Sequence, residues 1–311
     1  MVAKKAKAPR NKTIELSRIE MALYLSQALN LKKKSSINDV ENQVICQDCL
    51  QALDFLPEKC TDLMVVDPPY NLTKSFGKNI FKEMSSQEYL DWLDSWLSKT
   101  VRLLKDNSSV YICSDWKTSL FIPEIAGKYF ILQNRISWER EKGRGALNNW
   151  KNCLEDIWFF TKSKDYTFNL DAVKIERPVL APYRDKKGNP KDWVEDDGRK
   201  TRLTYPSNIW TDISIPFWSM PENTNHPTQK PEKLIAKLIL ASSNENDLVL
   251  DPFLGSGTTA VVAKKLGRRF IGIEREKEYA ALALKRLDMA DSNPQIQGFE
   301  DGVFKSRNSG F

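Results

Sequence analysis

The segment LVLDPFLGSGTTAVVAKKLGRRFIGIE, residues 248–274, constrains the fold more than any other part of the sequence. It reads as an apolar strand, a turn with two glycines, a helix and a second strand that ends in an acid. The glycines permit a tight turn, and the free N–H groups at the helix start suit an anion, either a phosphate or a carboxylate. An acid after the second strand is where such folds hold a ribose. The segment predicts a ligand site at Asp251, Gly255, Ser256, Gly257, Thr258 and Glu274.

Strand and helix patterns alternate along most of the 311 residues. Apolar strands are predicted at 44–47, 63–67, 108–114, 134–140, 155–163, 247–253 and 268–274, and helices at 13–31, 48–56, 87–106, 230–243, 258–267 and 277–290. This alternation predicts an α/β fold with a mostly parallel, doubly wound sheet that is covered by helices on both faces. The periodicity fades between Asp171 and Asn225, which predicts an irregular insertion or a small subdomain, and the tail from Asp291 is predicted to be flexible.

Charge and cysteine usage narrow the class of protein. The net charge is +6, yet residues 1–36 alone hold nine lysines and arginines against two glutamates. This basic arm either attracts phosphate backbones or is simply a solvated terminus. The sequence contains no run of about 18 or more apolar residues and no apolar signal-peptide core, so we expect neither a membrane span nor secretion. Five cysteines, an odd number, favour reduced thiols in the cytoplasm.

Two residue patterns were weighed as signs of other chemistry. Cys46 and Cys49 form a CxxC pair, but a zinc site needs a second pair of ligands at similar spacing, and the other cysteines stand alone. We therefore predict no metal site. His226 is the only histidine, which leaves a Ser-His-Asp or Cys-His hydrolase only if this residue is the base.

A second informative stretch is MVVDPPYNLTKSFG, residues 64–77, which places an acid, two prolines and a tyrosine directly after an apolar strand. With HPTQKP at 226–231 and DPFLGSGTT at 251–259, the sequence resembles the β class of amino-directed DNA methyltransferases, which includes adenine-N6 enzymes of bacterial restriction-modification systems. The motif order matches that class: the DPPY tetrapeptide comes first and the cofactor loop last, a circularly permuted order on a Rossmann-like fold. The resemblance runs from about Val44 to Leu287.

The resemblance implies a reaction, the transfer of a methyl group from S-adenosylmethionine to the exocyclic N6 amine of an adenine flipped out of double-stranded DNA. The Asp67 carboxylate and the Pro68 carbonyl would accept the two amino hydrogens and stabilise the charge that develops on the nitrogen. Proline would keep that carbonyl direction stiff, and the Tyr70 ring would stack on the base. The implied catalytic residues are Asp67, Pro68, Pro69 and Tyr70.

The resemblance also implies a cofactor site. The glycine turn and Phe253 would line the methionine part of S-adenosylmethionine, Glu274 would hold the ribose hydroxyls, and Asp48 would approach the adenine. Thr228 and Lys230, in HPTQKP, are candidates for the cofactor carboxylate, whereas His226 is predicted to be structural. The full implied set is Asp48, Asp67, Thr228, Lys230, Asp251, Phe253, Gly255, Ser256, Gly257, Thr258 and Glu274.

Two regions are predicted to contact DNA. Residues 71–86 follow the catalytic turn and would close over the flipped base. The insertion at 171–225 occupies the place of the target-recognition region, and arginines there would read guanine edges. The predicted DNA contacts are Lys74, Lys78, Lys82, Arg177, Arg184, Arg199 and Arg202.

The predicted organisation follows from these motifs. It comprises a basic arm and helix at 1–43, a catalytic half at 44–170, a target-recognition insertion at 171–225, a cofactor-binding half at 226–290 and a flexible tail at 291–311. The family implies double-stranded DNA as substrate, a cognate restriction endonuclease as functional partner, and a homodimer.

Three other functions stay open from the sequence alone. A cytosine-N4 methyltransferase has the same fold, but those enzymes more often carry serine at the position of Asp67. A nicotinamide-dependent dehydrogenase would explain the glycine turn and Glu274, yet it lacks the third glycine of GxGxxG and gives DPPY no role. The third is a DNA-binding protein that has lost methyl transfer, against which the intact motifs argue.

Overall fold

The computed structural model describes residues 8–77, 79–140, 147–180, 182–196 and 198–306. Its strands are β1 (Gln43–Cys46), β2 (Thr61–Val66), β3 (Lys74–Phe76), β4 (Asn79–Phe81), β5 (Leu104–Asp115), β6 (Ile131–Glu139), β7 (Leu154–Thr161), β8 (Ile175–Pro178), β9 (Val194–Asp196), β10 (Arg199–Thr204), β11 (Ile209–Trp210), β12 (Leu248–Asp251), β13 (Arg269–Glu274), β14 (Phe299–Glu300) and β15 (Val303–Lys305). Its helices are α1 (Arg18–Leu25), α2 (Ile37–Val40), α3 (Cys49–Phe55), α4 (Ser86–Thr100), α5 (Ile122–Ala126), α6 (Glu232–Ser242), α7 (Thr258–Lys265) and α8 (Lys277–Ser292).

The main sheet has eight strands in the order β1-β13-β12-β2-β5-β7-β6-β11. The first five run parallel, and only β7 runs against its neighbours. Apolar side chains of α6, α7 and α8 cover one face of the sheet, and those of α3, α4 and α5 cover the other. The predicted α/β, mostly parallel and doubly wound fold is confirmed.

One edge of this sheet gathers acidic residues. The carboxyl ends of parallel strands meet at the same edge, so Asp67 after β2, Asp251 at the end of β12 and Glu274 at the end of β13 lie along it. Strand β7 runs the other way and therefore begins there, which puts Glu155 directly opposite Asp115, the last residue of β5. The two halves of the chain meet at this edge between β2 and β12, where open α/β sheets place their ligands.

A second, smaller sheet has the order β14-β15-β8-β10-β9. Three of its strands come from the insertion, and two come from the C-terminal tail. The buried Lys233 of α6 ties this sheet to the main domain, because its ammonium donates to the carbonyls of Asp212 at 2.9 Å and Lys305 at 2.7 Å. Of the two alternatives that the sequence left open for the insertion, an irregular segment or a small subdomain, the small sheet matches the second.

Three local predictions were wrong. The helix expected at 13–31 spans only Arg18–Leu25, because a capping box at Ser17 starts it and Leu29 already bridges to β1. The helix expected at 87–106 ends at Thr100, and β5 begins at Leu104. The tail is ordered through residue 306, since buried Ile296 and Phe304 anchor it in the core; residues 307–311 lie outside the described residues.

Two further observations concern membrane spans and thiols. Within the described ranges, none of the helices combines the length and apolar character that crossing a bilayer requires. All five cysteines are free thiols, and Cys46 and Cys49 sit at the end of β1 and the start of α3.

Candidate active site

The catalytic turn, residues 67–70, directly follows β2. Charged and polar side chains hold it in a network. The two carboxylate oxygens of Asp67 accept hydrogen bonds from the Tyr70 hydroxyl at 2.8 Å and from the Lys230 ammonium at 2.6 Å. Lys230 also donates to the Tyr70 hydroxyl at 3.1 Å, and its ammonium lies 5.4 Å from the centroid of the Tyr70 ring. In this arrangement Tyr70 is folded toward Asp67.

Glu155 completes the network, although no sequence motif marked it. Its carboxylate lies 3.3 Å from the Lys230 ammonium, and its other oxygen pairs with Arg140. Both Glu155 and Lys230 are buried. The sequence contained one usable signal, since Glu155 opens the predicted strand at 155–163. Its place beside Asp67 depends on β7 running antiparallel, which the apolar pattern does not reveal.

Burial and neighbouring charges shift the pKa values of three side chains at the site: Lys230, Tyr70 and His226. Burial by itself would lower the pKa of Lys230, but the neighbouring carboxylates of Asp67 and Glu155 raise that pKa above its ordinary value, so Lys230 stays charged. Burial, together with the charge of Asp67, raises the pKa of Tyr70, which therefore stays a neutral phenol. Burial lowers the pKa of His226 to about 4, so its imidazole is neutral near pH 7.

The prolines of the catalytic turn are held separately. The Tyr89 hydroxyl of α4 donates to the Pro69 carbonyl at 2.8 Å, and the Asn71 side chain exchanges hydrogen bonds with the backbone of Met84 at 2.9 and 2.8 Å. Pro68 is buried. The backbone of the tetrapeptide and of the residue that follows it is therefore fixed by contacts that do not involve the Asp67–Lys230 network.

The glycine turn after β12 is held mainly by backbone groups. The Glu274 carboxylate accepts the N–H groups of Gly255 at 2.8 Å and Glu276 at 2.6 Å, and Asp251 accepts the N–H of Phe253 at 3.0 Å. Burial raises the pKa of Glu274 to about 7, although its backbone hydrogen bonds oppose the shift. Burial likewise raises the pKa of Asp251 to about 7.

A side chain would be excluded at Gly255 and at Gly257 by contacts with different parts of the structure. Both have positive φ, +56° at Gly255 and +90° at Gly257. A Cβ on Gly255 would lie 3.0 Å from the His226 imidazole, in the wall of the ligand cavity. A Cβ on Gly257 would lie 2.6 Å from the Cβ of Ala283, so this glycine permits α7 to start against α8. The sequence had assigned Gly257 to the cofactor; the geometry gives it a packing role.

One cavity of about 320 Å³ joins the two turns. All four predicted catalytic residues line it, and so do all the predicted cofactor residues except Gly257. Its walls also include the apolar side chains of Leu50, Phe81, Trp92 and Ile273, which the sequence analysis did not select. Asp48 reaches the cavity while it caps α3, where it accepts the N–H of Leu50 at 3.0 Å. A mostly apolar cavity with a few fixed polar groups is typical of a small-molecule site.

The β3–β4 hairpin covers part of this cavity. Phe76 and Phe81 line it, the Gly77 N–H donates to the Tyr279 hydroxyl at 3.1 Å, and the Asn79 side chain donates to Glu276. The hairpin therefore rests against the start of α8. Lys74 lines the cavity, Lys82 is exposed behind the hairpin, and Lys78 lies outside the described residues.

The predicted DNA-contacting arginines lie in the insertion, outside the cavity lining. Arg177 and Arg202 face each other across β8 and β10. Arg202 lies 3.4 Å from Asp192, Arg184 lies over the Trp193 ring, and Arg199 begins β10. The structure brings Arg177 and Arg202 together on neighbouring strands of the small sheet. Arg199 starts the same strand as Arg202, and Arg184 lies in the connection between β8 and β9.

Comparisons with known proteins agree with this geometry. A family model described as DNA methylase, of the N6/N4 type, matches residues 61–285. DNA adenine methyltransferase YhdJ of Escherichia coli is 37% identical over 254 residues, which cover 79% of this chain and 83% of YhdJ. Type II methyltransferase M.HpaI of Haemophilus parainfluenzae is 36% identical, with 80% and 75% covered.

Two solved structures of DNA methyltransferases are similar in fold to this chain. The complex of M1.HpyAVI with SAM has a TM-score of 0.54 and 26% identity, and the match covers 79% of this chain and 98% of that one. The cytosine-N4-specific PvuII DNA methyltransferase has a TM-score of 0.58 at 21% identity over 78% and 85% of the two chains, a likeness of fold alone. With the catalytic and glycine turns in one cavity and a family model matched over most of its length, the chain belongs to the N6/N4 family of DNA methylases.

Proposed function

We propose that this protein is a site-specific DNA methyltransferase that moves a methyl group from S-adenosylmethionine to the N6 amine of adenine in double-stranded DNA. The observation that carries the proposal is the shared cavity, in which Asp67 and Pro68 of the catalytic turn face the same space as the glycine turn and Glu274. A methyl donor held by one turn would lie next to an amine held by the other.

The cavity fits S-adenosylmethionine. Glu274 is fixed by two backbone N–H groups, yet its oxygens retain lone pairs for ribose hydroxyls. Leu50, Phe253 and Ile273 offer apolar surface to an adenine ring. When bound, the cofactor supplies an electrophilic methyl group on a sulfonium. The residues that would hold it are Asp48, Thr228, Asp251, Phe253, Gly255, Ser256, Thr258 and Glu274.

Lys230 has a different role in this proposal from the one its motif suggested. Its ammonium is bonded to Asp67 and lies beside Glu155, so it is engaged on the catalytic side of the cavity. The Lys230 ammonium holds one Asp67 oxygen at 2.6 Å and so fixes the orientation of that carboxylate. The negative charges of Asp67 and Glu155 balance the positive charges of Lys230 and Arg140, and the contact with Glu155 also directs the Lys230 ammonium.

The catalytic turn performs the remaining steps. The Tyr70 hydroxyl occupies one Asp67 oxygen, so the arriving amine takes that acceptor position as Tyr70 turns to stack on the base. The Pro68 carbonyl accepts the second amino hydrogen. Both acceptors would favour a tetrahedral nitrogen and would stabilise the positive charge that develops on it as the N–C bond forms and the S–C bond of the sulfonium breaks to leave a neutral thioether. The methylated amine would then lose one of its two protons to return to neutrality. The apolar walls exclude water from the reacting groups.

Adenine is favoured over cytosine as the target. The acid in Asp-Pro-Pro-Tyr is the form typical of adenine enzymes, and the relatives include a named DNA adenine methyltransferase. Relatives named as type II methyltransferases support a working partnership with a restriction endonuclease. In this proposal the protein acts as a homodimer. Five free thiols suit a cytoplasmic enzyme.

DNA would be bound by the hairpin and by the small sheet. In this proposal Lys74, Lys78 and Lys82 contact the DNA near the flipped base. Arg177, Arg199 and Arg202 lie on the small sheet, and Arg184 lies in the connection between β8 and β9. Residues 171–225 and the tail strands would form the target-recognition module.

Product analysis tests the proposal. Purified protein is incubated with S-adenosylmethionine and mixed-sequence duplex DNA, the DNA is digested to nucleosides, and N6-methyladenine and N4-methylcytosine are measured by mass spectrometry. We expect N6-methyladenine from the wild type. Asp67→Ala should lose at least about 10²- to 10³-fold in rate and still bind the cofactor, since it removes an acceptor used in the transition state. N4-methylcytosine as the product, or full activity of Asp67→Ala, would contradict the proposal.

A further inference from the structure

An exposed tryptophan lies in the loop between β6 and β7. The side chain of Trp150 is 92% exposed, and Leu147, three positions earlier, is fully exposed. Tryptophan side chains in folded proteins are mostly buried, so an indole in solvent needs a reason.

The described part of this loop is close in the chain to the catalytic cavity. Arg140, directly after β6, and Asn152, shortly before β7, both line the cavity. Trp150 is two residues from Asn152, so their Cα atoms are at most about 7 Å apart. Strand β7 then delivers Glu155 to the Asp67–Lys230 network. Trp150 is therefore an exposed indole within two residues of the cavity wall.

The backbone near Trp150 is braced by polar side chains. The Trp150 N–H donates to the Asn149 side chain at 2.7 Å, and the Leu154 N–H donates to the Asn152 side chain at 3.3 Å. Lys151, the next residue in the chain, is exposed, and Lys74 lines the cavity. An exposed aromatic ring with a lysine next to it in the chain suits a polyanion that has ring faces to offer, as DNA has.

Removing a base from a duplex leaves a gap in the stack, and proteins that distort DNA fill such gaps with apolar wedges. We propose that Trp150 enters the duplex and occupies the space that the target adenine vacates. This inference rests on the proposed function, because it needs a base that leaves the helix. The wedge stabilises the extruded state without touching the reacting atoms, so Trp150 is a positioning residue for the methyl transfer.

The test compares two short duplexes that carry the methylated site. In one the target adenine is paired with thymine, and in the other it lies opposite an abasic position and is already unpaired. Trp150→Ala should lower kcat/KM about 10- to 100-fold on the paired duplex, in line with the stacking lost. On the unpaired duplex it should stay within about threefold of the wild type, because extrusion there needs less help. Trp150→Phe should keep most of the activity on both.

Two controls separate this role from folding. Ile19→Ala removes another exposed apolar side chain, on α1, and should change neither rate. Calorimetry with S-adenosylmethionine should give the same affinity for Trp150→Ala as for the wild type. With 2-aminopurine at the target position, the fluorescence rise on binding should be large for the wild type and small for Trp150→Ala.

Several outcomes would overturn the inference. They are no loss with Trp150→Ala on the paired duplex, an equal loss on both duplexes, and a loss that accompanies dissociation of a dimer in light scattering, which would make Trp150 a contact between two copies of the chain. A wild type that methylates neither duplex would instead refute the proposed function, and the wedge with it.

Discussion

The catalytic turn and the glycine turn follow neighbouring strands, yet they are held in opposite ways. Strands β2 and β12 pair in parallel, with Leu63 opposite Val249. After β2, Asp67 is bound by side chains that arrive from distant parts of the chain, including Lys230. After β12, the turn is bound by its own backbone and by the packing of α7 on α8. The side chains of the catalytic turn can therefore change hydrogen-bond partners without unfolding the protein. The glycine turn, in contrast, is part of the packed core.

The acids in the two turns show the same contrast. Asp67 is 23% exposed in its side chain and paired with a cation. Asp251 is 4% exposed, it takes part in none of the ion pairs found among the described residues, and burial raises its pKa to about 7. Substitutions in the first turn should therefore act on the rate, and substitutions in the second on stability and cofactor affinity.

Among the substitutions that compare the two turns, Lys230→Met should have the largest effect. Without the ammonium, Asp67 loses its paired cation, and the repulsion between the Asp67 and Glu155 carboxylates is no longer offset between them. We expect kcat to fall roughly 100-fold, with the dissociation constant for S-adenosylmethionine within about threefold of the wild type. Glu155→Gln, which keeps the shape, should cost less. A weaker cofactor affinity at unchanged kcat would contradict this prediction. It would mean that Lys230 binds the cofactor carboxylate, the role its motif suggested.

Gly257→Ala should act on the fold. Its Cβ would meet Ala283 at 2.6 Å, at a φ of +90° that L-residues avoid. We expect the free energy of unfolding to fall by about 2–4 kcal/mol even without ligand. Gly188→Ala is the matched control, because its φ is +85° and no atom lies within 4 Å of its Cβ. Equal losses in chemical denaturation of the two variants would mean that strain, and not helix packing, explains Gly257.

The smallest effect is a pH dependence of cofactor affinity. With a pKa raised to about 7 by burial, Glu274 is protonated at pH 6 and ionised at pH 8, and the ionised carboxylate is the better acceptor for ribose hydroxyls. Affinity should therefore rise with pH through about 7, by up to about tenfold. The affinity for S-adenosylmethionine is measured by calorimetry at each pH for the wild type and for Glu274→Gln. The difference between the two affinities cancels any effect of the cofactor's own titration. Parallel pH profiles for the two proteins would exclude Glu274 as the titrating group.

The sequence predicted the features that depend on residues close together in the chain, namely the strands, the helices and the two turns. The alternating patterns predicted the doubly wound sheet, and the DPPY and glycine motifs predicted two turns that the structure brings into one cavity. Each turn depends on residues adjacent in the chain, such as the prolines and glycines. Even so, the GxG pattern predicted the same cofactor-binding role for both glycines. It did not distinguish Gly255, at the cavity wall, from Gly257, at a helix contact.

Long-range contacts account for what sequence could not predict. Glu155 and Arg140 join the site only because β7 reverses direction, and Lys230 meets Asp67 across the boundary between the two halves. The tail strands are two and three residues long, too short for a periodic pattern. They are ordered because β15 finds a parallel partner in β8, far earlier in the chain.

That last pairing has a consequence for synthesis. Strand β15 lies between β14 and β8, so the small sheet cannot be completed until residues 303–305 have left the ribosome. Every strand of the main sheet is translated before residue 275. A nascent chain can therefore assemble its cofactor cavity first and its second sheet last, in the order in which folding units emerge. A chain released early would carry the cavity but an unfinished insertion, and the two modules would mature at different times.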